Sequence, residues 1–263
     1  MPAKSKLGQN FLVDPMAAER IVAALGEVSR CTVVEIGPGH GAITASLASR
    51  AGHLVAIELD HELALGLRVR YDPTRVTVVE QDVLDFDFAS ASTQAGQRLR
   101  VVGNLPYYIT SPILTKLASS YSALDLAVLM VQREVADRVV AAPGSRDYGL
   151  LSVTAQMYGP AETLFTLPPS AFSPRPQVHS SVFRWRFAPR FAELNLDEPG
   201  FLRFLRQAFA QKRKTLANNL RAAGYSAETA ASALAAAQIP AQARAEAVSI
   251  EALAALCRVL QPS

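Results

Sequence analysis

The sequence predicts an α/β protein, a doubly wound and largely parallel sheet followed by a small all-α C-terminal domain. Three observations carry that expectation. Strand-length apolar runs alternate with amphipathic helical segments over the first two thirds of the chain. The first of those runs leads through Gly37, Gly39 and Gly41 into an apolar helix. From Pro189 onward the pattern changes to Ala-rich helical spacing. The expected boundaries are therefore 1–188 for the sheet domain and 189–263 for the helical one.

The 263 residues allow one large core plus a small second domain. Half are hydrophobic and 19% are charged, which fits a globular chain and excludes a disordered one. No apolar run reaches the roughly 18 residues of a membrane span, so no membrane partner is expected. Cys31 and Cys257 are the two cysteines. Zinc spacing is absent, no metal is expected, and the usage points to a reducing cytoplasm. Residues 184–263 carry 11 Lys/Arg against 6 Asp/Glu, whereas residues 1–183 carry 15 against 17. The basic excess lies in the last third and favours a polyanion there.

In chain order, residues 4–14 form an arm with basic, polar and apolar residues in which Lys4 and Lys6 are candidate phosphate contacts. Gln9, Asn10, Phe11 and Leu12 are unusual for a free tail and point to a segment folded over something. Asp14-Pro15 starts a helix as N-cap and first-turn proline, buries Ile21, Val22 and Leu25, and stops at Gly26. The run from Thr32 is the first strand. Its glycine turn permits close backbone approach to a ligand. The second strand ends at Glu58, 21 positions after Gly37, the spacing at which a carboxylate meets ribose hydroxyls in doubly wound sheets. The third ends in Gln81-Asp82, and the fourth, from Leu99, in Asn104-Leu105-Pro106-Tyr107. In an open parallel sheet, Gly37, Glu58, Asp82 and Asn104 would border one crevice.

The turn Gly37-Pro38-Gly39-His40-Gly41-Ala42 alone fits either a dinucleotide or S-adenosylmethionine. Two residues favour the latter. Glu35, two positions before the first glycine, is a carboxylate near the expected place of a sulfonium-bearing amino acid. Asp82 is placed to accept from an adenine amino group. Neither suits a pyrophosphate neighbour. The Asn104 tetrapeptide suits methylation of a nucleobase amine, whose lone pair is delocalised. The Asn104 amide oxygen and the Leu105 carbonyl can each accept an N–H and return electron density to the nitrogen. Pro106 stiffens the turn and supplies no N–H. Tyr107 offers a stacking face for an extruded base.

Beyond the tetrapeptide come a helix from Thr110, a fifth strand over residues 126–131, a helix over Val135 and Val139, a helix over residues 148–157 and a strand over 162–167. The proline-rich loop 168–178 exposes Phe172, expected opposite Tyr107 so that the base is sandwiched. Residues 181–187 read as the final edge strand, preceded by a structural His179. Residues 201–221 read as one helix with Arg203, Arg206, Arg213, Lys214 and Arg221 in a single acid-free stripe suited to a phosphate backbone. Lys212 falls on its apolar side. Further helices fill 226–260, broken at Pro240.

Gly8-Gln9-Asn10-Phe11-Leu12, Glu35-Ile36-Gly37-Pro38-Gly39, Gln81-Asp82, the tetrapeptide, Phe172 to Val178 and Gln211 to Leu216 together give a near end-to-end resemblance to the ribosomal RNA adenine dimethylases. The branch resembled is the one acting on two adjacent adenosines in the 3′-terminal hairpin of bacterial 16S ribosomal RNA. The resemblance implies a Rossmann-like methyltransferase sheet and N6,N6-dimethylation with S-adenosyl-L-methionine as cofactor. It further implies a monomer acting on 16S rRNA in the immature 30S subunit. By it, Asn10, Leu12, Gly37, Glu58, Asp82 and Asn104 line the cofactor site, with Glu35 and Gly39 beside them, and Asn104, Leu105, Tyr107 and Phe172 hold the adenine. The family usually has an acidic residue where this chain has His179, so no role rests on that position. A sister branch that methylates 23S rRNA shares the core, a non-catalytic assembly factor would share the basic helix, and an NAD-dependent oxidoreductase would have no use for the tetrapeptide.

Overall fold

The computed structural model describes residues 10–260. Its strands are β1 (Phe11–Leu12), β2 (Thr32–Ile36), β3 (His53–Glu58), β4 (Val76–Glu80), β5 (Leu99–Asn104), β6 (Leu124–Gln132), β7 (Ala161–Leu167), β8 (Phe172–Ser173) and β9 (Ser180–Arg186). Its helices are α1 (Pro15–Ala24), α2 (Thr44–Arg50), α3 (His61–Arg70), α4 (Phe88–Ala95), α5 (Thr110–Ser119), α6 (Arg133–Val140), α7 (Leu150–Tyr158), α8 (Glu198–Ala208), α9 (Leu216–Ala222), α10 (Ala227–Ala236) and α11 (Ile250–Leu260). The chain clusters into two units, Met1–Ala136 with Ala161–Phe187, and Asp137–Pro160 with Ala188–Ser263.

In the first unit seven strands form one sheet in the order β4-β3-β2-β5-β6-β9-β7. The five strands β4 to β6 are parallel, and β9 and β7 complete the sheet antiparallel. Central strands buried on both faces need continuous apolar runs rather than alternation. Val33, Val34, Val101, Val102, Val128 and Leu129 supply them and are fully buried. The register brings Ile36 level with Ile57 and Gly103, Glu58 level with Glu80, and Asn104 level with Met130. The C-terminal ends of the parallel strands therefore finish along one rim, the place where open α/β sheets bind ligands.

The entry to the sheet follows the sequence closely. The Asp14 carboxylate caps α1 by accepting from the Met16 and Ala17 amides, and Gly26, at φ +73°, ends it. Ile21, Val22 and Leu25 pack into the core with Leu47, Leu54 and Val102. A separate two-stranded ribbon pairs β1 with β8, placing Phe11 opposite Ser173 and Leu12 opposite Phe172.

Three expectations are corrected. The strand near residues 181–187 is not an edge: β9 pairs with β6 on one side and β7 on the other, and β7 is the edge. Its Arg184 forms an ion pair with Glu162 on β7. Residues Asp137–Pro160, assigned from the sequence to the first domain, cluster with the helical unit. There the Gln156 amide donates to the Val139 and Ala141 carbonyls, and the Tyr158 hydroxyl donates to Glu198.

The third correction concerns residues 201–221, which form α8 and α9 with a turn between them. The Asn219 amide donates to the Ala208 and Gln211 carbonyls, the acceptors a continuing helix would use. Thr215 caps α9 through the Asn218 amide. The basic residues therefore do not share one helical stripe. Arg203 and Arg206 lie on α8, Arg213 and Lys214 in the turn and Arg221 on α9, all exposed. Lys212 is exposed in the same turn and not on an apolar face. Phe201, Phe204, Leu205, Leu216, Leu220, Leu253 and Leu256 are among the buried apolar residues of this unit. No described helix is long and apolar enough to cross a membrane.

Candidate active site at the ends of the parallel strands

Two clefts open at the rim of the sheet. The upper one, of about 410 Å³, is lined by Asn10, Phe11, Gly37, Gly39, Asn104, Leu105, Pro106 and Tyr107. The lower one, of about 430 Å³, is lined by Ile36, Gly37, Glu58, Leu59, Gln81, Asp82, Val83, Pro106, Tyr108 and their neighbours. Gly37 and Pro106 border both, so the glycine turn and the tetrapeptide form their common wall.

The glycine turn is held from below. Gly37 and Gly39 adopt φ +64° and +57°, a region that costs an L-residue roughly 1–2 kcal/mol. A Cβ on Gly39 would come within 2.8 Å of the Phe11 ring, which packs against His40 at a 48° tilt with centroids 4.3 Å apart. Glu58 is buried, and its carboxylate accepts three backbone amides: Gly39 at 3.0 Å, Leu59 at 2.9 Å and Asp60 at 3.0 Å. One carboxylate thus ties the turn to the end of β3.

Asn104 is the last residue of β5, and its amide nitrogen donates to the Asn10 carbonyl at 2.8 Å. That bond fixes which way the amide points. Its oxygen, which accepts from no described residue, is left to the upper cleft. The Leu105 amide is spent on the Met130 carbonyl, 2.9 Å away. The Pro106 carbonyl takes the Ile109 amide and the Thr110 hydroxyl, and no described donor takes the Leu105 carbonyl. Adjacent residues at the strand tip therefore carry two acceptors that no described donor takes, the kind of group that can polarise an N–H₂. Tyr107 is half-buried beside them, its hydroxyl 2.7 Å from that of Ser180; burial raises the phenol above its ordinary pKa.

Against these clefts a profile of the family described as ribosomal RNA adenine dimethylase matches residues 2–261. The chain belongs to that family. A ribosomal RNA small subunit methyltransferase A from Acidobacterium capsulatum is 58% identical over 98% of this chain and 91% of its own. One from Koribacter versatilis is 49% identical over 98% and 94%. A dimethyladenosine transferase from Plasmodium falciparum superposes with a TM-score of 0.79 at 22% identity, over 94% of this chain and 95% of the other, which bears on the fold. The 23S rRNA methyltransferase ErmE superposes with a TM-score of 0.73 at 25% identity, over 95% and 99%. This ribosomal RNA adenine dimethylase is thus an enzyme with a Rossmann-like methyltransferase sheet.

Of the residues singled out in the sequence, Gly37, Glu58, Asp82, Asn104, Leu105, Pro106, Tyr107, Asn10 and Gly39 all line the two clefts of the dimethylase. Three do not. Phe172, expected to be exposed opposite Tyr107, is 2% exposed and packs in the core, because the β1–β8 pairing folds it inward against Leu12. Leu12 is buried for the same reason. Glu35 lies beneath the glycine turn and lines neither cleft; one of its oxygens accepts the Thr44 hydroxyl at 2.7 Å. Lys4 and Lys6 lie outside the described residues. Several lining residues were missed, Phe11 and Tyr108 among them. Phe11 read as unusual for a free tail and belongs to the first motif of the resemblance, but was given no role at the site. Tyr108, directly after the tetrapeptide, is 58% exposed over the lower cleft.

Burial, followed by the neighbouring Glu58 charge, raises the Glu35 carboxyl to about 7 against the Thr44 hydrogen bond. The folded protein therefore holds this proton more tightly than the unfolded chain, whose carboxyl titrates near 4.5. The contribution to stability is full below pH 4.5 and is lost as pH rises through 7, a difference of about 3 kcal/mol at 1.36 kcal/mol per decade. Glu35→Gln keeps an acceptor for Thr44 without the charge. Urea denaturation should find the variant gaining about 3 kcal/mol on the wild type between pH 4.5 and pH 8. A constant difference across that range would refute the assignment.

Proposed function

We propose that this enzyme uses S-adenosyl-L-methionine to dimethylate N6 of two adjacent adenosines in the 3′-terminal hairpin of 16S rRNA, acting as a cytoplasmic monomer on the immature 30S subunit. The observation that carries the reading is the oriented Asn104 amide. With its nitrogen committed to Asn10, the oxygen joins the Leu105 carbonyl as a second acceptor at the strand tip.

The lower cleft suits the cofactor. Its lining includes Glu58 and Asp82, and no Lys or Arg lines either cleft among the described residues. Those acceptors fit a ribose diol and a cationic sulfonium and disfavour a pyrophosphate. When bound, the cofactor supplies an electrophilic methyl group. In this reading Glu58 accepts from ribose hydroxyls, Asp82 accepts from the adenine amine, and Gly37 and Gly39 let the backbone approach. Asn10 and Asn104 close the site toward the upper cleft. Tyr107 stacks on the extruded target base, Asn104 and Leu105 accept its two amine hydrogens, and Pro106 presents no competing donor. No strong base is required, because positioning and polarisation act on the amine directly.

The exposed cations Arg203, Arg206, Arg213, Lys214 and Arg221 are proposed to bind RNA phosphates, with Lys4 and Lys6 on the arm. Replacing Arg213 and Lys214 together by Ala should flatten the dependence of log K on log salt by roughly 2 without changing which nucleotide is modified. An unchanged slope would remove that pair from the interface.

The likeness to ErmE favours a second reading, in which 23S rRNA is the substrate. Labelled S-adenosylmethionine offered separately to 30S particles lacking the modification and to protein-free 23S RNA distinguishes the two. Label in the 30S arm supports the first reading; label in the 23S arm alone overturns it.

A further inference from the structure

We propose that Ser180 is a positioning residue for this reaction: its hydroxyl pins Tyr107 in the orientation that receives the target base. The inference rests on the reading of the upper cleft as the base site. Ser180 lies outside the recognised proline-rich motif, which ends at Val178. It opens β9 and is completely buried. Its backbone is clamped from both sides, opposite Gln132 on β6 and Leu167 on β7. The Ser180 hydroxyl therefore sits on a rigid element, 2.7 Å from the Tyr107 hydroxyl.

Tyr107 has no such support from its own segment. It begins a single turn, Tyr107–Ile109, that follows Pro106 with no side-chain cap. Pro106 fixes the backbone at one end of the residue, at φ −59°. The shared hydrogen bond with Ser180 fixes the phenol at the other. A ring held at both ends keeps one face toward the acceptors of Asn104 and Leu105, whereas a ring free at its hydroxyl samples other rotamers. Positioning of this kind acts on the rate of transfer and not on cofactor affinity, because Ser180 touches neither cleft.

The test is a double-mutant cycle on the full-length enzyme, with Ser180→Ala, Tyr107→Phe and the pair. Methyl transfer to 30S particles lacking the modification is measured at saturating donor, and S-adenosylhomocysteine binding is measured alongside. Each single variant should lower kcat about 10-fold with donor affinity unchanged, and the pair should be no slower than either one. Losses that multiply to about 100-fold in the pair would show that Ser180 acts other than through Tyr107 and would overturn the proposal. Tyr107→Phe keeps the ring and removes only the hydroxyl that meets Ser180, so it tests the idea even where Ser180→Ala does not fold. A normal kcat in Tyr107→Phe overturns the proposal. Failure of the wild type to label the particles would instead overturn the underlying reading of the site.

Discussion

Asn104→Asp should lower the rate of methyl transfer by about 10²–10³-fold, although it offers the target amine two oxygens in place of one. The reason lies on the far side of the amide. The Asn104 nitrogen donates to the Asn10 carbonyl at 2.8 Å. A carboxylate there has no hydrogen to give and meets a carbonyl oxygen at hydrogen-bond distance. It also adds a charge at a rim that already holds Glu58 and Asp82. The side chain then turns from Asn10, and the acceptor pair is lost as a geometry. Asn104→Ala removes the acceptor outright and should be as slow in the first transfer. It should be less impaired in the second, where an already methylated amine has one N–H left and the Leu105 carbonyl suffices. Single-turnover transfer to unmodified and to monomethylated substrate reads both steps. An Asp variant near wild-type rate would show that Asn10 does not orient the amide.

Glu58→Gln should weaken S-adenosylhomocysteine binding by about 100-fold, the cost of roughly 3 kcal/mol in lost charge-assisted hydrogen bonds. The substitution is nearly isosteric, but Glu58 faces only donors. Its one oxygen takes the Leu59 and Asp60 amides, and its other takes Gly39. A glutamine oxygen can keep the first two. Its N–H₂ group then points at the Gly39 N–H, and two donors cannot share that bond. Gly39 cannot retreat toward β1, since the Phe11 ring already lies against it. The glycine turn must shift, and with it the wall common to both clefts. Calorimetry on the folded variant measures this; an affinity within threefold of wild type would mean that Glu58 neither braces the turn nor meets the cofactor.

What could be read from the sequence was whatever depends on local pattern. Buried parallel strands need unbroken apolar runs, so β2 to β6 were visible, and the residues ending four of them gave the rim. Asp14 was legible as a cap because one carboxylate beside a proline has a local task. The misreadings came from long-range partners. Nothing near Phe172 says that Leu12, some 160 residues earlier, pairs with it and draws it inward. Nothing around Arg213 says that Asn219 will take the carbonyls of Ala208 and Gln211 and end α8 early. A 100° projection runs straight through such a break. Ser181 to Arg186 alternates like an edge strand, yet β7 returns to cover it. Glu35 was recognised as unusual, but a sequence cannot show that it is buried or that the Thr44 hydroxyl donates to it.

The central claim is that the acceptors at the tip of β5 act on the exocyclic nitrogen of adenine. The most direct measurement is nucleoside analysis of 30S particles, lacking the modification, after reaction with labelled S-adenosylmethionine. The account predicts that all label appears as N6,N6-dimethyladenosine at two neighbouring positions. Label on a ring nitrogen, a ribose hydroxyl or another base would contradict it.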